Sequence, residues 1–155
     1  MFADKFKTSK KSDISKAIKV YVSKHYDMNA FTKIESLCNE IDFSRNAAIE
    51  VANMEKGMDT MKKAKQIIID YLKLLNSVRT RLSFGNDDSS VKVSFSWYDV
   101  LKKDNYSSYS FAHEYYNMLF NLAICLVTMG KSISIKDEED VLKQAIKNFN
   151  QAAWI

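Results

Sequence analysis

His25, His113, Cys38 and Cys125 are the only histidines and cysteines in this 155-residue chain, and they are the natural places to look for chemistry. A histidine beside a cysteine could activate a thiolate. His113 and Cys125, however, fall twelve residues apart on one expected helix, roughly 18 Å at 1.5 Å per residue, so they form no dyad within it. His25 and Cys38 meet only if the tertiary fold brings them together. Two cysteines and two histidines at these spacings make no zinc motif. Both cysteines sit among apolar residues and read as buried free thiols in a reducing compartment. The acidic run "KDEED" at 136–140 suits a solvated helix start better than a metal site. "KKAK" at 62–65 reads as a solvated helix face rather than a phosphate contact. No glycine-rich phosphate loop, GxSxG or HExxH is present. With no activated nucleophile and no acid–base pair, the chain is expected not to be an enzyme, and no cofactor or metal is called for.

The elements that would position a binding surface are clearer. The chain is 46% hydrophobic and 27% charged, with no proline and three glycines. Few breakers and a sizeable apolar fraction favour one domain of long helices. A net charge of +4 is mild for a nucleic-acid binder and suits an acidic protein or an anionic membrane at least as well. The N-terminus has no secretory pattern, and Met118–Met129 is too short to span a bilayer. A soluble intracellular protein is expected.

Ser12 or Asp13 can cap a first helix whose stripe is Ile14, Ala17, Ile18, Tyr21, Val22 and Tyr26. A second helix is expected over Asn29–Asn53, with an irregularity near "DFSRN". A third is expected over Met54–Arg81, forming an antiparallel hairpin with the second. "FGNDDSS" is the clearest loop and could join 81–84 to 91–98 as a β-hairpin. In 91–98, Val91, Val93, Phe95 and Trp97 alternate with polar residues or Tyr98, as in a strand. "DKFKTSKKSD" reads as extended, a short edge strand. A fourth helix over Ser107–Met129, with Gly130 at its C-cap, is apolar nearly all round from Leu119 to Val127 and should be central. A fifth begins near Asp137 with Leu142, Ala145, Ile146, Phe149, Ala152 and Ala153 inward. The apolar end "QAAWI" suggests a structure that continues. The dense aromatics lack the basic interleaving of a base-stacking platform, so nucleic acid is not an expected partner.

Three blocks in order carry a family resemblance: Phe95, Trp97 and Asp99; then Glu114, Leu119, Phe120 and Asn121; then Ala145, Lys147 and Phe149. With "FKTSKKSDISKAIKVYVSKHY" and Arg45, they resemble the BRO domain of Alix-type proteins in the ESCRT pathway. The resemblance spans nearly all of residues 1–155, as the N-terminal part of one BRO domain, truncated at its C-terminal end. It implies a mainly α fold of tetratricopeptide-like antiparallel helical hairpins with a small antiparallel β-sheet. It further implies a non-enzymatic adaptor, cytoplasmic and peripherally recruited to endosomes, in multivesicular-body sorting. Its partner would be the C-terminal amphipathic helix of an ESCRT-III subunit, laid in a groove. The resemblance puts Glu139 and Lys143 at the groove's rim, with Asp140 able to take the acidic role. The two could instead pair with each other in solvent. The groove's apolar anchors are expected in helices beyond Ile155. An alternative reading is a basic module docking on anionic membrane through Lys5, Lys7, Lys10, Lys11, Lys62, Lys63 and Lys65.

Overall fold

Helical spacing of apolar residues produces six α-helices among the residues described by the computed structural model, 5–133 and 139–155. In chain order the elements are β1 (Thr8–Ser9), α1 (Ile14–His25), α2 (Met28–Thr32), α3 (Glu35–Glu50), α4 (Met58–Arg79), β2 (Phe95–Asp99), β3 (Asp104–Ser108), α5 (Phe111–Lys131) and α6 (Glu139–Ala153). A single 3-10 turn, Val51–Asn53, ends α3. The helices pack on their sequence neighbours, α3 on α4, α4 on α5 and α5 on α6. The three strands form one antiparallel sheet in the order β1-β2-β3.

Asp13 is the residue that caps α1, its carboxylate accepting from the Lys16 amide at 2.7 Å. Asp42 of α3 caps the same helix from across the interface. Its two oxygens accept from the Ile14 and Ser15 amides at 2.8 and 3.1 Å. Burial pushes the Asp42 carboxyl above its ordinary range, and those two amides oppose the shift. Ile14, Ile18 and Val22 of the expected stripe are buried, whereas Tyr26 lies past the helix end and is exposed.

Several boundaries differ from the sequence reading. The expected second helix is broken at Lys33–Ile34, not near "DFSRN", and no glycine or proline marks the break. The expected hairpin between 81–84 and 91–98 reduces to one isolated bridge, Phe84 with Val91, of parallel type. Strand β2 pairs instead with β1, 86 or more residues upstream, and with β3 (Trp97 opposite Ser9 and Tyr106). The β3 segment, polar and exposed, carries no apolar alternation by which to find it. Helix α5 starts later, at a Ser110 cap, and runs through Gly130 to Lys131. The expected α6 start at Asp137 lies outside the described residues.

Gly130 therefore has a different role from a C-cap. Its backbone is not left-handed, but a Cβ there would stand 2.7–2.9 Å from three ring atoms of Phe149. The missing side chain lets α6 lay that ring on the α5 backbone. Two magnitudes compete in Gly130→Ala. Helix propensity favours alanine by up to about 1 kcal/mol, while overpacking costs about 1–3 kcal/mol. We expect a net loss of about 1 kcal/mol in thermal or urea melts. In a Phe149→Ala background the sign should reverse, since the ring is gone and only propensity remains. Destabilisation that persists without the ring would show that space is not the reason for the glycine.

The motif residues meet in the core. Arg45, Tyr71, Trp97 and Glu114 come from α3, α4, β2 and α5, and each is at most 1% exposed. Glu114 Oε1 accepts from Arg45 Nε at 2.9 Å and from the Tyr71 hydroxyl at 2.9 Å. Its Oε2 accepts from Trp97 Nε1 at 2.7 Å and from Arg45 Nη2 at 3.4 Å. Arg45 also donates to the Lys10 carbonyl and the Ser9 hydroxyl, at 3.0 and 2.9 Å, and so reaches the β1 segment. Burial, with the Glu114 carboxylate next to it, holds the Tyr71 hydroxyl well above its ordinary pKa, so it stays a donor. A buried charge pair needs this degree of satisfaction to persist.

Asn121 makes a second long-range tie. Its amide accepts from the Lys7 backbone N–H at 2.8 Å and donates to the Lys7 carbonyl at 2.9 Å, gripping the N-terminal segment as a strand would. The Lys7 ammonium reaches Asn117 at 3.0 Å and Asp99 at 3.3 Å, and lies 4.9 Å from the centre of the Phe120 ring. A polar residue in the most apolar helix is thus one half of a docking contact.

Candidate functional site: an apolar trough between three helices

Helix α6 is strongly amphipathic, yet its apolar face is only partly covered. Ala145 is buried, but Leu142, Ile146 and Phe149 are 50, 52 and 41% exposed and Trp154 is 91% exposed. Of the expected inner face, Ala145 is buried, Ala152 is half-buried and the Phe149 ring lies on Gly130, whereas Leu142, Ile146 and Ala153 are exposed. Asn148, not expected on that face, is also buried and accepts from Gln144 at 3.1 Å. Ile146 and Trp154 remain beside a trough of about 700 Å³ between α4, α5 and α6. Ile69 of α4 and Leu122 and Leu126 of α5 supply the facing apolar wall, and Lys65, Lys143 and Lys147 stand on the rim. Apolar surface rimmed by charge is the usual form of a helix-accepting groove.

Of the rim residues expected from the sequence, Lys143 lines the trough. Its ammonium pairs with Glu139 Oε1 at 2.9 Å and with Asp140 Oδ1 at 3.5 Å. All three side chains are well exposed, so these contacts are worth at most about 0.5 kcal/mol each. Glu139 thus reaches the trough only through Lys143. The trough's own apolar lining is Ile69, Leu122, Leu126, Ile146 and Trp154. The sequence signal for Ile146 and Trp154 is the amphipathic spacing of α6 itself.

His25 Nε2 lies 3.0 Å from the Asp88 carbonyl. Cys38 and Cys125 are buried free thiols. Burial pushes their pKa values up to about 11 and about 12, which keeps them protonated near neutrality. Burial also pulls the His113 imidazole below its ordinary value, with Lys7 adding and Glu114 opposing. Among the described residues no group of three potential ligands is placed to hold a metal ion, and no helix is long and apolar enough to cross a membrane. Of the lysines in the membrane reading, Lys7 is held by Asp99 and Asn117, Lys62 pairs with Asp59, and Lys65 faces the trough.

Stacked helical hairpins, a small antiparallel sheet tied to them by buried polar contacts, and an apolar trough define a helical scaffold domain with a groove. The chain belongs to the BRO1-like domain family, whose model matches residues 1–155. It is 26% identical over 149 residues to vacuolar protein-sorting protein BRO1 of Yarrowia lipolytica, covering 96% of this chain and 16% of that protein. It is 33% identical over 72 residues to vacuolar protein-sorting protein bro1 of Aspergillus fumigatus, covering 46% of this chain and 7% of that protein. Among solved structures, one described as "Structure basis for endosomal targeting by the Bro1 domain" superposes with a TM-score of 0.71 at 26% identity, covering 96% of this chain and 39% of that one. The ALIX BRO1 CHMP4C complex superposes with a TM-score of 0.80 at 18% identity, covering 96% and 42%. The chain therefore spans less than half of each solved relative and a smaller part of each full-length protein.

Proposed function

We propose that this chain is part of a non-enzymatic ESCRT-pathway adaptor. Its trough takes the C-terminal amphipathic helix of an ESCRT-III subunit in endosomal sorting, and the protein is cytoplasmic and recruited peripherally to endosomes. The observation that carries this reading is the uncovered apolar face of α6 opposite Leu122 and Leu126, flanked by Lys65, Lys143 and Lys147. A helix with an apolar stripe between acidic flanks complements that surface in both shape and charge. The family membership and the vacuolar-sorting relatives support the pathway. In this reading Lys143 contacts an acidic flank, and Glu139 and Asp140 hold its ammonium at the rim until the helix arrives.

The test is calorimetric titration of an ESCRT-III C-terminal helix peptide into the chain. Ile146→Asp places a charge in the apolar trough and is expected to weaken binding at least about thirtyfold. Glu139→Lys with Lys143→Glu, on the rim, is expected to weaken it about three- to tenfold. Unchanged affinity in Ile146→Asp would refute the trough; unchanged affinity in the charge-swapped protein would refute only the rim. Loss of vesicle binding with salt, at intact peptide affinity, would instead favour anionic membrane as the partner.

A further inference from the structure

A second surface lies away from the trough. A cleft of about 520 Å³ separates α1 from the turn at 88–90 and the segment that follows it to 94. Val20 and Val93 lie on its apolar lining, and Lys11, Lys16, Lys24 and Lys92 surround it, against two carboxylates, Asp13 and Asp88. Both carboxylates are already engaged. Asp13 caps α1 through the Lys16 amide. Asp88 is shared by Lys24 at 3.6 Å and Lys92 at 3.1 Å. Among the described residues, Lys11 and Lys16 form no ion pair.

The spacing along α1 selects the shape of a ligand. Lys16, Val20 and Lys24 follow one another at four-residue intervals, so they form a stripe on one side of the helix. The two ammonium-bearing positions are about 12 Å apart along the axis at 1.5 Å per residue. Val20 lies between them and is 64% exposed. An extended peptide rises about 3.3 Å per residue and points every second side chain to one face. Its residues i and i+4 are thus about 13 Å apart, with i+2 between them on the same face.

We infer that this cleft docks an extended acidic peptide with carboxylates at i and i+4 and an apolar side chain at i+2. The carboxylates meet Lys16 and Lys24, with Lys11 and Lys92 reinforcing the two ends, and the apolar side chain covers Val20. Asp88 competes for Lys24 and Lys92, so it weakens the site in the free protein. The site shares no residue with the trough, and it stands whether or not the trough takes an ESCRT-III helix.

Fluorescence anisotropy with a fluorescein-labelled peptide, Gly-Glu-Ser-Leu-Ser-Glu-Gly, tests it. The unaltered chain should bind the probe, and replacing the probe's leucine by serine should weaken it severalfold. Lys16→Glu and Val20→Asp should each weaken binding at least about tenfold, since each removes one of the matched contacts and adds a repulsive one. Asp88→Asn should tighten binding about threefold by releasing two lysines, and this gain cannot come from misfolding. Lys62→Glu with Lys63→Glu, on α4, should leave binding unchanged. Failure of the unaltered chain to bind the probe, or equal loss in the α4 variant, would overturn the proposal. So would Lys16-dependent capture by phosphatidylserine vesicles without peptide binding.

Discussion

Replacing Glu114 by alanine is expected to destabilise the chain by about 3–5 kcal/mol, a large part of a typical domain's stability. The geometry explains the size. Four donor groups converge on this carboxylate: Arg45 Nε and Nη2, the Tyr71 hydroxyl and Trp97 Nε1. Removing it leaves a guanidinium with 0% exposure and no counter-charge. Glu114→Gln should be nearly as damaging despite its shape. Arg45 Nε stands at one oxygen position and Trp97 Nε1 at the other, and neither can accept, so the new amide NH₂ must face a donor in either orientation. Arg45→Met combined with Glu114→Met should recover part of the loss, because the buried charges go together. Recovery should be incomplete, since the Tyr71 and Trp97 donors remain unpaired. Urea unfolding followed by circular dichroism measures all four proteins. A loss below about 1 kcal/mol in Glu114→Ala would mean that water enters and replaces the carboxylate.

Trp97→Ala should cost a similar amount, about 3–5 kcal/mol, for a different reason. The indole is 1% exposed and fills the space between β2 and the helices. Its removal leaves a cavity and takes away the 2.7 Å donor to Glu114 Oε2. Trp97→Phe separates the two effects. It keeps most of the apolar ring and loses the N–H, so a smaller cost of about 1–3 kcal/mol is expected. The chain offers a convenient readout, because its only other tryptophan, Trp154, is 91% exposed. In a Trp154→Phe background the fluorescence of Trp97 alone should be blue-shifted when folded and red-shifted in urea. The Trp97→Phe and Glu114→Gln changes should combine non-additively, because they share one hydrogen bond. Strict additivity would mean that the indole and the carboxylate act independently.

These two residues also show what could be read before any coordinates. Trp97 and Glu114 were conspicuous as motif positions, and the alternation from Val91 to Trp97 pointed to a strand. Nothing in the order of residues said that Arg45, 69 positions before Glu114, would meet its carboxylate. Helix spacing was legible for α1, α4 and α5, because an amphipathic stripe is a local pattern that survives in most packings. The break at Lys33–Ile34 was not legible, since no residue there breaks a helix. Strand β3 was not, because exposed polar residues carry no period-two pattern. The ion pair of Glu139 with Lys143 is legible in a four-residue spacing, while the trough beside Lys143 needed α4, α5 and α6 in place.

Local patterns along the chain set the class: long helices from scarce breakers, one aromatic strand, two inert thiols among apolar neighbours, and membership of a family legible in three ordered motifs. Those properties depend on residues near one another in the chain. Long-range packing set the pairing of β2 with β1 and β3, and the convergence of Arg45, Tyr71, Trp97 and Glu114. It also turned Gly130 from an expected cap into a seat for Phe149, and left α6 half-covered. Each of these depends on contacts between distant segments. Their entropy of closure is met only by the packing of the whole chain, so no local stretch can specify them.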